Sequence, residues 1–391
     1  MTTTQSPSAE HALLRDTVRE LLTRYAPDHE VARWDAEQAF PDDVYRRLAE
    51  LGLCGLSFDE RHGGAGPDYH ALCLVVEELA RVSGALTWAY LSTVSVAARA
   101  IANFGTDEQR NALLPRVADG SLRVSIALTE PDAGSDLAAL STTAEADGDE
   151  LIINGQKVFT TGADSAGYLM TLVRTSVGRD LRTALTFVLV QPSTPGVAVR
   201  PLPKMAGQSL HTCEVFFDAV RMPASAVLGP VGGAAAILFA ALDGERVATA
   251  AMGLGIASGA LDKAAAYAVQ RRQFGTPIAE MQAIAHLLAD MAIDVDTARL
   301  LTERAADLLQ HGVPCARESA IAKVAATEIG TRCANRGMQI LGGYSYMVEY
   351  GMERYWRESK LYEIAAGTNQ ILRDHIARDV RKRTSGSGAA S

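Results

Sequence analysis

Two segments combine residue types that could do chemistry on a bound ligand. Ile126 to Ser135, IALTEPDAGS, followed by Asp136, sets the Thr129 hydroxyl beside successive backbone amides at Ala133, Gly134 and Ser135. A nest of amides suits an anion such as a pyrophosphate. Taken alone, the segment reads equally well as a turn between strands. Near the C-terminus, Arg357 to Arg373, RESKLYEIAAGTNQILR, breaks one helical pattern at Gly367 and Thr368 and begins another. Thr368 ahead of Asn369 and Gln370 is placed to cap the new helix, and helix starts suit phosphate. A plain helix-turn-helix is the simpler alternative.

Other chemistries find less support. Gly253, Gly255 and Gly259 in GLGIASG approximate a dinucleotide fingerprint, but the preceding ERVATAAM reads as helix and the last spacing is wrong. Small residues that let helices pack closely are the better account. No Walker loop, HExxH or GxSxG occurs, and the eight histidines are dispersed. The five cysteines (Cys54, Cys73, Cys213, Cys315, Cys333) form no CxxC, so buried reduced thiols are expected and no metal site. Asp243-Gly244-Glu245-Arg246 lies in a helical stretch, where Glu245 by itself reads as a surface charge paired with Arg246 or Lys263.

The elements that must position these residues fall into three stretches. Up to about Gly120 the apolar spacing is helical, as in Leu13 to Leu22, Val44 to Leu53 and Tyr69 to Val82, with a Gly/Pro loop at Ser57 to Asp68. Between Arg123 and Pro230 β-branched runs alternate with turn residues. Leu151 to Ile153, Asn154-Gly155 and Lys157 to Phe159 predict a hairpin turning at Asn154-Gly155. Further strands are expected at Leu169 to Val173, Ala184 to Val190, Val197 to Pro201 and Cys213 to Val220. From Ala234 onward long Ala/Leu-rich helices return, and Met281, Ile284, Leu288, Met291 and Val295 form an apolar stripe suited to a bundle.

The 391 residues, 48% of them hydrophobic, suffice for two or three packed domains or one large multi-layer fold. A net charge of -9 with no basic cluster beyond Arg378 to Arg383 disfavours nucleic acid as a partner. Apolar runs such as Ala234 to Leu242 fall short of a bilayer span, so no membrane association is expected. The polar opening Met1 to Glu10 lacks a signal-peptide pattern, and a cytoplasmic location is expected.

In this order the two ligand-suited segments resemble the acyl-CoA dehydrogenase family, over about residues 10–382. Supporting stretches are NGQKVFTTG (Asn154 to Gly162), KMAGQSLHTCEV (Lys204 to Val215), RRQFGTPIAEMQ (Arg271 to Gln282) and QILGG (Gln339 to Gly343). The resemblance implies an α+β multidomain fold: an N-terminal helical domain (1–121), a middle antiparallel β domain (122–232), a C-terminal four-helix bundle (233–383) and a disordered tail (384–391). It implies FAD as cofactor. Ile126, Leu128, Thr129, Gly134, Ser135, Phe159, Thr160 and Thr161 would hold the flavin ring and nearby phosphates, with Thr368 and Gln370 closing the same site. Arg271, Phe274, Gln282, Gln339, Gly342 and Gly343 would contact the dinucleotide portion across a subunit interface, so a homotetramer, a dimer of dimers, is implied.

The family's reaction needs a carboxylate for the α-proton while a hydride leaves the β-carbon for the flavin. Most members carry that base in Tyr-Glu-Gly-Thr, where this chain reads Ala365-Ala366-Gly367-Thr368. Glu363, three residues upstream, occupies a common family position of its own. In the isovaleryl-CoA and long-chain branches the base sits on a bundle helix before an arginine, and Glu245 corresponds to it. The resemblance therefore makes Glu245 the catalytic base, keeps the Ala366 backbone amide for the thioester oxygen, and puts Ser135, Asp243, Arg246 and Ala365 against substrate. Phe159 replaces a frequent Trp, and Gln208 a frequent Arg. The implied reaction is α,β-dehydrogenation of a short, branched or cyclic acyl thioester, isovaleryl-CoA-like first, with electrons passing to an electron-transfer flavoprotein. The alternatives are an acyl group on a carrier protein, as in the prolyl carrier-protein dehydrogenases, a flavin oxidase or oxygenase, or a non-catalytic flavin-binding homologue.

Overall fold

A computed structural model describes residues 9–176 and 180–386. Met1 to Ser8 of the polar opening lie outside the described residues. The helices of the first stretch are α1 (Ala9–Tyr25), α2 (Asp28–Glu37), α3 (Asp42–Glu50), α4 (Tyr69–Ala80), α5 (Gly84–Tyr90), α6 (Arg99–Phe104) and α7 (Asp107–Ala118). A π-helical stretch, Leu91–Ala98, joins α5 to α6. The strands follow: β1 (Val124–Ala127), β2 (Thr143–Asp147), β3 (Glu150–Thr161) and β4 (Tyr168–Arg174), then the short α8 (Leu181–Ala184), then β5 (Leu185–Val190), β6 (Val197–Leu202), β7 (Thr212–Pro223) and β8 (Val227–Leu228). The last stretch holds α9 (Ala234–Gln270), α10 (Gln282–Gln310), α11 (Ala316–Leu341), α12 (Met352–Ile364) and α13 (Asn369–Gly386). The expected tail begins inside α13, since residues 384–386 continue the helix; residues 387–391 lie outside the described residues.

By contacts the chain forms two compact units. One draws on the chain up to Asp35, Tyr69–Thr87 and the chain from Asp243 onward; the other on Ala36–Asp68 and Trp88–Leu242. In the second unit the strand order is β6-β7-β3-β2-β4-β5-β8, with β1 beside β4. Most pairs are antiparallel, while β1 and β2 run parallel to β4. Ile153, Leu169, Val173, Val188, Val190, Cys213, Val215 and Phe217 form its core. Thr93 on the π-helical stretch bonds both backbone groups of Val124, accepting from its N–H at 3.1 Å and donating to its carbonyl at 3.3 Å. A Thr106/Gln109 capping box starts α7, and the Gln109 amide reaches the Ser225 and Val227 carbonyls, each at 2.9 Å.

The expected hairpin turn at Asn154-Gly155 is not there. β3 runs straight through these residues, and the chain reverses at Gly148, whose φ is 63°. Asn154-Gly155 is instead a bulge, with a register shift against β7 between Ile153 and Gly155. A Cβ on Gly155 would lie 2.6 Å from Thr142 Oγ1, so glycine is required for close approach to the neighbouring chain, and the Asn154 side-chain oxygen accepts from the Ala219 amide at 2.8 Å.

In the helical unit, Glu77 on α4 is buried between two arginines, Arg15 of α1 at 3.0 Å and Arg299 of α10 at 2.6 Å. The stripe expected on α10 is buried at Met291 and Val295, while Met281, Ile284 and Leu288 are only half-buried. GLGIASG lies in mid-α9, and each glycine faces a different helix. A Cβ on Gly253 would come within 2.6 Å of the Ala326 backbone on α11, one on Gly255 within 2.3 Å of the Glu77 carbonyl on α4, and one on Gly259 within 2.7 Å of the Tyr355 hydroxyl on α12. Close helix packing explains the motif, which is led into by helix and not by the strand a dinucleotide fold needs. One helical run, Gly84–Phe104, is long and apolar enough to cross a membrane by composition, but 83% of that window is buried inside the molecule.

The crossings make a stability prediction. Gly255→Ala should gain about 1 kcal/mol of helix propensity, yet the methyl would press on a backbone carbonyl, and such overpacking costs about 1–3 kcal/mol. Net loss of stability is expected in urea unfolding; a stabilised variant would show that α4 and α9 do not meet as closely as described.

Candidate active site

In the sheet unit the segment Leu128 to Ser135 leaves β1 and is tied down from β3. The Val158 amide donates to the Thr129 carbonyl at 2.9 Å. Lys157, fully buried, donates to the Leu128 carbonyl at 3.1 Å and to Glu130 Oε1 at 2.8 Å. The Glu130 carboxylate, 4% exposed, also accepts from the Ser141 amide and hydroxyl at 2.6 and 2.7 Å and from the Thr142 amide at 2.9 Å. Burial pushes the Glu130 carboxyl up, but the Lys157 ammonium and these donors outweigh it and bring it to about 2. Burial brings Lys157 down to about 8 against the pull of Glu130.

What this anchoring presents is a loop with donors to spare. Gly134 and Ser135 are exposed, and among the described residues their amides donate to no protein acceptor. Beyond Lys157, β3 bulges again: Phe159 has a φ of 58° and is 66% exposed. Ile126, Leu128, Thr129 and Thr161 are half-buried. Thr160 departs from expectation. Its side chain is 1% exposed, with a hydroxyl that has no hydrogen-bond partner, because alternation along the strand turns it inward when Phe159 turns out. Thr160 can therefore contribute only its backbone. An exposed ring on β3 and free amides on the loop anchored to that strand fit a flavin and its phosphates.

In the helical unit Glu245 sits on α9, half-buried, and its carboxylate has no hydrogen-bond or ion-pair partner among the described residues. The surface pairing that its sequence context permitted is absent. Lys263 binds Asp28 and the Tyr350 carbonyl, and Arg246 binds Asp243 at 3.2 Å. Burial raises the Glu245 pKa, with Arg246 and Lys323 opposing. Asp243 also accepts from the Ser319 hydroxyl at 2.8 Å, so it orients Arg246, which is 6% exposed and keeps its Nε without a partner.

The turn between α12 and α13 carries Ala366 at φ 54° and Gly367 at φ 82°. A left-handed alanine costs about 1–2 kcal/mol, and such an outlier persists only where surrounding structure enforces it. The enforcement comes from Lys323 on α11, fully buried, which donates to Gly367 O and Asn369 Oδ1, each at 2.9 Å, and to Glu363 O at 3.3 Å. The Asn369 amide in turn reaches Thr327 at 3.1 Å. Thr368 caps α13 through the Ile371 amide at 3.2 Å, while Gln370 is exposed and Ala365 half-buried. Burial brings Lys323 down to about 8, with Glu363 and Glu245 raising it, so the lysine that holds the turn also feels the Glu245 carboxylate. The Glu363 carboxylate is engaged by Thr331 and Lys360, which argues against its use as a base.

A third set of expected residues is solvent-facing in the helical unit. Phe274 is 96% exposed at the tip of a small hairpin with φ 50°, and Arg271 lies 5.6 Å from the Tyr344 ring. Gln282, Gln339, Gly342 and Gly343 are exposed, and a Cβ on either glycine would meet nothing within 4 Å. Gln208 folds back onto the Lys204 carbonyl at 2.6 Å.

Lys157, Glu130 in its anchoring role and Lys323 were not marked in the sequence. A lysine inside an apolar strand or an Ala-rich helix is the only signal they leave. The pair predicts that Lys157→Met strands a buried carboxylate and loses about 3–5 kcal/mol. Adding Glu130→Gln should recover a good part of it in urea titrations, and a double variant no better than the single would count against the pairing.

Comparison with known proteins places this geometry. Residues 8–121 match the acyl-CoA dehydrogenase N-terminal domain, residues 125–220 the middle domain and residues 232–381 the C-terminal domain. The chain is 39% identical to the probable acyl-CoA dehydrogenase YngJ of Bacillus subtilis (strain 168), over 95% of this chain and 98% of the relative. A solved glutaryl-coenzyme A dehydrogenase in complex with glutaryl-CoA superposes with a TM-score of 0.93 at 34% identity, covering 97% of this chain and 96% of that one. Butyryl-CoA dehydrogenase from Megasphaera elsdenii does so with a TM-score of 0.91 at 31% identity, covering 96% and 99%. The chain belongs to the acyl-CoA dehydrogenase family of FAD-dependent oxidoreductases.

Proposed function

We propose that the chain removes the α-proton and β-hydride of a short, branched or cyclic acyl thioester, with Glu245 as the base. The observation that carries this reading is the Glu245 carboxylate: unpaired, raised in pKa by partial burial and in the field of the lysine that holds the Ala366-Gly367 turn, in a chain that has Ala366 where the family usually has its base. A base needs its oxygens free and a pKa raised toward the working pH, and both conditions hold here.

The residues divide the work. Glu245 takes the proton from the α-carbon. The Ala366 amide, fixed in direction by its left-handed turn, donates to the thioester oxygen as charge develops there. Arg246, with one N–H on Asp243 and its Nε unused, has a donor left for substrate. Ser135 and the Gly134 amide on the anchored loop serve phosphate and flavin, as do Thr129, Phe159 and Thr161. FAD, when bound, accepts the hydride from the β-carbon. The small side chains of Ala365 and Ala366 leave room for branching near the reacting carbons, which supports isovaleryl-CoA-like substrates. The exposed Arg271, Phe274, Gln282, Gln339, Gly342 and Gly343 suit a dinucleotide shared with another copy, which supports a homotetramer; the family resemblance extends the proposal to electron-transfer flavoprotein as acceptor and to a cytoplasmic location.

Purified protein should be yellow and bleach anaerobically on mixing with isovaleryl-CoA or a close relative in a panel presented on both CoA and carrier protein. Bleaching only on the carrier would select the carrier-linked reading, and none at all the oxygenase or non-catalytic one. Glu245→Gln should retain FAD but lose about 100-fold or more in flavin reduction rate. Undiminished reduction in that variant would sink the assignment of the base.

A further inference from the structure

Lys323 belongs to no motif, yet its environment is unusual for a structural lysine. An ammonium has three N–H donors and no acceptor, and here the acceptors are the Gly367 carbonyl, the Asn369 side-chain oxygen and the Glu363 carbonyl. They saturate the charged form, whereas a neutral amine would leave one unserved. None is a carboxylate, so the charge is buried without a contact ion pair, an arrangement that costs several kcal/mol per ion unless other charges offset it. The charged groups facing it are Glu363, Glu245, Arg246 and Glu328. Glu363 is held by Thr331 and Lys360, Glu328 by Arg373, and Arg246 by Asp243. That leaves Glu245 as the carboxylate with no partner of its own. Glu245 in turn faces Arg246 and Lys323, and His375 of α13 faces Arg246 and Asp243.

We propose that Lys323 is a positioning residue for the dehydrogenation, pinning the Gly367 carbonyl so that the Ala366 amide keeps its direction, and acting through its charge on the Glu245 carboxylate without touching it. The proposal rests on Glu245 being the base. Direct contact would consume an oxygen that must take a proton; a charge held by the turn's own acceptors favours the ionised carboxylate while leaving it free. Dehydration by bound substrate strengthens this longer-range field.

The test is the pH dependence of anaerobic flavin reduction in the FAD-loaded enzyme. Lys323→Met should move the acidic limb of the profile upward by about one pH unit, because loss of a nearby cation disfavours the carboxylate. Asn369→Ala loses an acceptor but no charge, and should slow reduction at every pH without moving the limb. Lys323→Arg should return the limb to its wild-type place. An unmoved limb in Lys323→Met, or an equal move in Asn369→Ala, would leave Lys323 a purely structural residue and overturn the proposal. A reciprocal measurement needs no change at Lys323. In protein labelled with 13C-lysine, Glu245→Gln should lower the pH at which the Lys323 ammonium titrates, and an unchanged titration overturns the coupling even if Lys323→Met does not fold. Failure of the base reading shows separately, as undiminished flavin reduction by Glu245→Gln.

Discussion

An ammonium taken out of water must find either a carboxylate or a full set of neutral acceptors, and the two buried lysines among the described residues show one case of each. Lys157 is buried against Glu130, and that pair, with the Ser141 and Thr142 donors, fixes the loop from Leu128 to Ser135 on the sheet. Lys323 is buried against carbonyl and amide oxygens, and that set fixes the turn from Ala365 to Thr368 on the bundle. In both places the residues that would meet ligand are backbone amides, which have no side chain to hold them. Rigidity has to be imported from a buried charge behind the loop, and a buried polar network is stiff only when every member is satisfied.

The same economy appears in α9. Its three glycines let α11, α4 and α12 approach to distances that any Cβ would forbid. The helix that bears Glu245 is thereby held on several sides by close backbone packing. Asp243, itself held by the Ser319 hydroxyl, then engages Arg246, the cation next to the glutamate in the chain. A free, half-buried carboxylate is the product of these constraints, since each nearby cation already has a partner or is held by other acceptors.

Much of this was legible in the sequence. The order helix, strand, helix followed from where β-branched residues and turn residues concentrate, and the packing role of GLGIASG from the helical run around it. Asn154-Gly155 predicts a hairpin yet forms a bulge, because the dipeptide that favours a tight turn also favours a bulge, and only Thr142 on the neighbouring segment decides between them. Thr160 turns inward because alternation resumes after the irregularity between Lys157 and Thr160, where Lys157 and Val158 are both buried, and no local pattern announces that shift of phase. The apolar stripe of α10 was right in period, but burial begins only at Met291, since the start of a helix need not be covered even when its residues are apolar.

The sequence by itself determined which residue types are available: a carboxylate on a helix before an arginine, alanines where a larger motif is usual, amides and a hydroxyl in a turn. Local propensity and spacing suffice for that, because they depend on neighbours within a few positions. Only the tertiary structure decided that Glu245 is unpaired, that Ala366 is left-handed, and that Lys157 and Lys323 are the buried cations behind the two loops. Hydration, hydrogen-bond saturation and long-range fields depend on groups far apart in the chain, 44 residues in the contact from Lys323 to Gly367, and no short-range pattern encodes them.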